Sequence, residues 1–254
     1  MPAQMTPAPL VLTLDRKKRG QPQRATRAEA QYGRSLRMLA RQVGELIKAF
    51  PAGDPQALPT IEDMLRRYAE ALTPWALGVA QRMLSDANAR DLANWRVLTA
   101  EMKTELRREI LEAPTGERMK DLLGQQVTLI KSLPLDAAQR VHELTIRGLE
   151  DGTRAKEIAA EIMRSGEVAE NRAMLIARTE VARTSSVLTQ ARAEHAGSTG
   201  YIWRTARDGD VRPSHKAMNG RFVRWGEPPT LDNLRGHAGC LPNCRCYAEP
   251  VIPD

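Results

Sequence analysis

Between Thr60 and Leu72 the apolar side chains Ile61, Met64, Leu65, Tyr68 and Leu72 recur at three- and four-residue steps, the spacing that lines one face of an α-helix. Thr60 supplies an N-cap oxygen at its start, and Asp63 lies three residues on. The same reading predicts a helix from near Thr26 to Phe50, stopped by Pro51, and a linker over 51–59 whose prolines lack the N–H a helix needs. Pro74 is expected to end or kink the helix that Thr60 begins. Helices then follow over Trp75–Asn88 and Asp91–Glu112, the latter with Leu92, Trp95, Leu98 and Met102 as its buried stripe, and Pro114 closes the run. Met119, Leu122, Leu123, Val127 and Ile130 keep the helical period until Pro134, where a break is expected, with Asp136 capping a further helix to Leu149. A short helix from Gly152–Thr153 to Met163 comes next. The most regular segment, Ala169–His195, sets the row Met174, Val181, Leu188 beside the small row Ala177, Thr184, Ala191, as an ordinary core-facing helix does.

At Gly197 the pattern changes. Tyr201–Thr205, Arg221–Trp225 and Cys246–Ile252 are aromatic and β-branched, which predicts three short strands behind the turn Gly197–Gly200. Each is marginal alone, so the sheet must rest on helices or be pinned by something else. The predicted fold class is α+β: a mainly helical body with a small C-terminal antiparallel β-rich module. The expected domains are an arm over 1–24, a helical N-terminal region over 25–133 and a C-terminal domain over 134–254, β-rich from 197.

Composition agrees with this reading. Of 254 residues 42% are hydrophobic and only 4% aromatic, with Ala, Leu and Arg abundant. No apolar run reaches the length of a membrane span, and no secretory signal is expected at the start. The net charge of +7 is concentrated: residues 1–34 carry seven basic and two acidic side chains, whereas 35–196 carry 23 of each. The run Arg16-Lys17-Lys18-Arg19, flanked by prolines, suits an arm that neutralises phosphates without reading sequence, and equally a solubilising tail.

Candidate chemistry lies at the other end. His215, His237, Cys240, Cys244 and Cys246 gather within 32 residues of a chain with four His and three Cys in all. On a strand Cys244 and Cys246 face the same side. A structural zinc, free thiols and a local disulfide all fit this pattern, and the Cys-x3-Cys-x-Cys spacing does not choose among them. A cysteine nucleophile assisted by histidine is a weaker reading, because nothing in the spacing requires it. His142 and His195 carry no partner pattern.

The residues Arg178-Thr179-Glu180, Trp203, Asp208, Arg212-Pro213-Ser214-His215, Asn219-Gly220 and Pro242-Asn243-Cys244-Arg245-Cys246 with Pro250 form an ordered series. In this series the region from about 120 to 252 resembles the C-terminal domain of phage Mu F-like minor head proteins, also called phage head morphogenesis proteins. The chain departs from the family pattern where Arg212 and His215 stand in place of a Cys-Pro-x-Cys pair. It departs again where Cys240 stands beside a missing histidine. The two changes could compensate, leaving His215, Cys240, Cys244 and Cys246 as a four-ligand set for structural zinc. Ser186 and Asp210 also replace the family's usual Asn and Arg.

The resemblance implies a low-copy, internal virion component associated with the portal and other head proteins, made in the host cytoplasm and needed for head assembly, with no enzymatic role. Contact with packaged DNA through Arg16, Lys17, Lys18 and Arg19 is the accompanying expectation, and no membrane is involved. Arg178, Glu180 and Arg183 are expected to seat the β module. Two alternatives remain: a zinc-pinned nucleic-acid-binding module, and an enzyme using Cys244 or His215.

Overall fold

A computed structural model of the protein describes residues 26–50, 56, 58–100, 102–150, 155–206 and 209–253. The expected arm, with Arg16, Lys17, Lys18 and Arg19, lies outside the described residues, as do Asp208 and most of the 51–59 linker. Helices come first: α1 (Thr26–Lys48), α2 (Leu58–Ala71), α3 (Thr73–Leu98), α4 (Thr104–Leu111), α5 (Gly116–Glu150), α6 (Ala155–Met163) and α7 (Ser165–His195). The rest is β1 (Gly200–Arg204), α8 (Pro213–Met218), β2 (Phe222–Arg224), β3 (Thr230–Leu231), β4 (Leu234–Arg235) and β5 (Tyr247–Val251). The chain is therefore α+β, mainly helical, with a small antiparallel sheet near its C-terminal end. Among the described residues no helix is long and apolar enough to cross a membrane.

Several boundaries differ from expectation for physical reasons. Helix α2 begins at Leu58, before Thr60, because Pro59 in a first turn gives up no intrahelical bond. Helix α3 runs straight through 89–90, where Ala89 and Arg90 offer no breaker. The interruption comes instead after Leu98, where the Thr99 hydroxyl donates to the Trp95 carbonyl at 2.8 Å. Pro134 sits inside the 35-residue α5 and does not break it. The ring removes one N–H, yet Ile130, Leu133, Ala137 and Val141 keep one buried apolar face on both sides of it. Helix α8 and the β3–β4 hairpin are too short to carry a periodic signal in the sequence. The hairpin turns through Asp232 and Asn233, both with positive φ (52° and 63°), a two-residue geometry that Asp and Asn tolerate.

The chain forms two compact units that are each discontinuous in sequence, one from 26–84 and 121–178, the other from 85–120 and 179–253. No single cut, at 133–134 or elsewhere, separates them. The first unit is all helical. Leu36, Leu39, Ala40 and Val43 of α1, Leu65 and Ala69 of α2, and Ile130, Leu133 and Val141 of α5 are buried in it. Gly44 and Gly166 let α1 and α7 approach so closely that a Cβ on Gly166 would lie 3.2 Å from the Gly44 Cα.

The second unit carries the sheet, ordered β2-β1-β5 with both pairings antiparallel. Strand β1 is central, with Tyr201 opposite Val223 on one side and Pro250 on the other. Pro250, which cannot donate to a ladder, stands on an edge strand. Gly200 is required because a Cβ there would lie 2.4 Å from the Val223 carbonyl oxygen. Tyr201 and Trp203 point into a core shared with Trp95, Ile110, Trp225 and Ile252. Beneath it lies a buried ion pair: Arg192 Nε donates to Asp91 at 2.9 Å, each side chain is 3% exposed, and Thr189 donates to the other Asp91 oxygen at 2.6 Å. The remaining Arg192 donors reach Asn88 and the Ile110 and Leu111 carbonyls. Burial pushes the Asp91 carboxyl up to about 6, against the opposing pull of Thr189 and Arg192.

Candidate metal centre

His215, Cys244 and Cys246 come from three different local structures. Pro213 opens α8, and one helical step later His215 turns inward, 2% exposed, with its ring edge-on to Trp203 at 5.7 Å between centroids. Cys244 ends the turn Leu241-Pro242-Asn243-Cys244. Its N–H donates to the Leu241 carbonyl at 2.9 Å, and Asn243 takes a φ of 54° behind the proline, the pattern of a type II turn. Cys246 follows on the same side, just before β5. His215 Nδ1 thereby lies 3.4 Å from Cys244 Sγ and 3.5 Å from Cys246 Sγ, and all three ligand atoms fall within 4.8 Å of one another.

The electrostatics divide the two thiols. Cys244 is pulled down to about 5, chiefly by a hydrogen bond from the Cys246 thiol. The backbone N–H groups of Gly239 and Cys246 and the nearby His215 add to this, against the effect of burial. Cys246 is pushed up by donating that hydrogen bond and by burial, while the Trp203 indole N–H, buried and without a nitrogen or oxygen acceptor, favours its charged form. His215 Nε2 is buried and makes no hydrogen bond; Asp232 Oδ2 is 3.9 Å away. Asp232 is itself held by the Ser214 hydroxyl at 2.9 Å and by Arg212 at 3.4 Å, and these contacts lower its pKa, Ser214 most.

Cys240 stands outside the trio. It is half-buried beside Ser186, and burial raises its pKa. All three cysteines are free thiols. Other residues singled out in the sequence have structural partners. Arg212 also donates to the Pro242 carbonyl, and Arg245 pairs with Asp210 at 2.9 Å. Gly220, with φ of 87°, donates its N–H to the Trp203 carbonyl at 2.8 Å. Asn219 accepts hydrogen bonds from the Thr205 N–H and hydroxyl.

Of the three charged residues expected to seat the β module, Arg183 and Glu180 lie close enough to Cys240 of that module to act on its thiol electrostatically. Arg178 pairs with Glu29 at 3.6 Å, and Arg183 pairs with Glu180 on its own helix at 3.8 Å. Two hydroxyls of α7, between and after these charges, bond directly to the module. Thr179 Oγ1 accepts from the Asn243 N–H at 3.1 Å, and the Ser186 hydroxyl donates to the Ala238 carbonyl at 2.7 Å. Hydroxyls two turns apart on a helix are a faint signal beside the charges that flank them. His237 was grouped with the cluster by sequence but belongs to the aromatic core. It pairs with the Tyr201 hydroxyl at 3.2 Å, donates to the Trp225 carbonyl and is edge-on to both rings. His142 is on the other unit, against Glu62 at 2.5 Å.

Residues 139–249 match the family described as phage Mu protein F like protein. An uncharacterized protein of Haemophilus influenzae is 33% identical over 138 residues, 54% of this chain and 30% of that protein. A protein of Enterococcus faecalis named NAD(+)–arginine ADP-ribosyltransferase EFV is 34% identical over 131 residues, 46% of this chain and 26% of that protein. The chain thus spans less than a third of either relative. No solved structure matches it. The matched stretch 139–249 takes in α7, the sheet and the His215–Cys244–Cys246 trio in part or in full, so the similarity to that family rests on this region of the chain.

Proposed function

We propose that the protein is a structural component of a phage head, acting in head morphogenesis. The observation that carries this reading is the family match over 139–249, which covers the whole trio and nearly all of the sheet. The finer parts of the proposal are association with the portal and other head proteins, a place inside the virion, and contact of the basic arm at 16–19 with packaged DNA. The concentration of basic residues at 1–34 supports the last of these, because clustered cations bind polyanions by counterion release.

The relative named as an ADP-ribosyltransferase favours a second, enzymatic reading. About three quarters of that protein lies outside the shared stretch, however, so its named activity does not have to reside in what the two have in common. The proposal keeps this chain structural.

The test is to express the protein with the phage's capsid and portal proteins and sediment the assembled heads. Co-sedimentation that depends on portal, and loss of normal heads when the protein is omitted, are the expected results. Recovery only as free protein, with heads unaffected, overturns the proposal. Replacing Arg16, Lys17, Lys18 and Arg19 by Gln should leave head association intact while flattening the salt dependence of duplex binding. NAD consumption by the purified chain would favour the second reading.

A further inference from the structure

We propose that His215 Nδ1, Cys244 Sγ and Cys246 Sγ bind one Zn²⁺ ion that ties α8 to β5, with Asp232 orienting the imidazole and Cys240 outside the coordination sphere. The inference rests on the geometry of the trio and stands whether or not the protein is found in heads.

Three observations carry it. A tetrahedral zinc with Zn–N of about 2.0–2.1 Å and Zn–S of about 2.3 Å holds nitrogen and sulfur about 3.5 Å apart. The two N···S separations here are 3.4 and 3.5 Å, and both run from the same ring nitrogen. The opposite ring nitrogen, Nε2, is the buried atom with no hydrogen bond, and the carboxylate nearest to it is Asp232 at 3.9 Å. A histidine that ligates through Nδ1 carries its proton on Nε2, and a carboxylate at that position fixes the ring. Ser214 and Arg212 hold Asp232 there by hydrogen bonds to the same oxygen. The donor set is also chemically selective, since two thiolates and an imidazole suit zinc and disfavour magnesium or calcium.

Cross-linking is what this module lacks. Its strands are two to five residues long, and no disulfide joins its cysteines. An ion on His215, Cys244 and Cys246 would join positions 29 and 31 residues apart in sequence. Three protein ligands leave the fourth tetrahedral position to a solvent molecule, since the ligand atoms that lie within 4.8 Å of one another belong to His215, Cys244 and Cys246 and not to Cys240.

The experiment uses the full chain, purified with reduced thiols and dialysed against a trace of zinc, with the metal counted by elemental analysis. One zinc per chain is expected, unchanged in Cys240→Ser, lost in Cys246→Ser, and bound about 10–100-fold more weakly in Asp232→Asn, whose exposed side chain leaves the core intact. Because Cys246→Ser could fail to fold, the unsubstituted chain is also loaded with Co²⁺. Intense visible bands of tetrahedral cobalt with near-ultraviolet thiolate charge transfer are expected. Failure of the reduced chain to retain zinc, an octahedral cobalt spectrum, or loss of the ion from Cys240→Ser as complete as from Cys246→Ser each overturns the proposal.

Discussion

The two units of this chain solve the problem of a closed interior with different materials. Unit 26–84 with 121–178 is built mainly from Leu, Val, Ile and Ala on helices, with a buried hydrogen bond from the Tyr32 hydroxyl to Gln126 at 2.9 Å, and a pair of glycines brings two of those helices nearly into backbone contact. Unit 85–120 with 179–253 packs Trp95, Tyr201, Trp203 and Trp225 around short strands, and sets polar and sulfur groups inside: Asp91 with Arg192, Ser186 with Ala238, and the His215 trio. Interdigitating aliphatic side chains are tolerant of exchange as long as volume is kept. Buried polar groups are not, because each depends on one partner in one geometry. A short-stranded module therefore gains its uniqueness from polar pairs at the cost of sensitivity to single substitutions.

That contrast is most sharply broken at Asp91. Replacing it by Ala strands the Arg192 charge in the core, and a loss of about 3–5 kcal/mol is expected in denaturant unfolding. Adding Arg192→Met to Asp91→Ala should recover much of it, and failure of the double variant to recover anything would mean that the pair is not the source. In the helical unit the corresponding weak point is steric. Gly166→Val forces methyl groups onto the Gly44 backbone, and a loss of about 1–3 kcal/mol is expected, while Leu36→Met nearby should cost under about 1.5 kcal/mol. If Gly166→Val is neutral, the two helices are freer to separate than the close approach implies.

The smallest expected effect concerns pH. Burial lowers the His237 pKa below its ordinary value of 6.5, the Trp225 carbonyl opposing this. In the unfolded chain His237 takes up a proton as pH falls through about 6.5, whereas in the fold it resists protonation, so stability is present above that pH and is lost as pH falls below it. Melting temperature measured between pH 7.5 and 5.5 should decline, and His237→Gln should flatten the decline. An unaltered slope in that variant would assign the dependence to other groups.

Much of the helical unit was legible because its rule is local: a residue such as Leu65 is buried where the 3.6-residue period puts it. The misreadings came where local rules compete with packing. Pro134 is a breaker by its own chemistry, but Ile130, Leu133, Ala137 and Val141 outweigh it collectively. The three main strands were legible from Tyr201, Trp203 and Val223, whereas β3 and β4, two residues each, fall below any periodic signal. At the candidate site the clustering of His and Cys in sequence pointed to the right segment. The sorting of His215, Cys244 and Cys246 from Cys240 and His237 depends on the helical turn of α8 and the positive φ of Asn243, which no spacing encodes. The partner of Arg192 lies 101 residues away, and nothing near Asp91 announces it.

The interleaving of the two units carries a consequence for how the chain is made. Neither core can be completed in order of synthesis: residues 26–84 wait for 121–178, and 85–120 wait for 179–253. As the ribosome extends the chain, the α1–α3 segment emerges with its apolar stripe exposed for the time it takes to add roughly a hundred more residues, some 5–20 seconds at typical elongation rates. During that window the nascent polypeptide exposes apolar surface of the kind chaperones bind, and a premature stop well before 178 would leave both interiors incomplete.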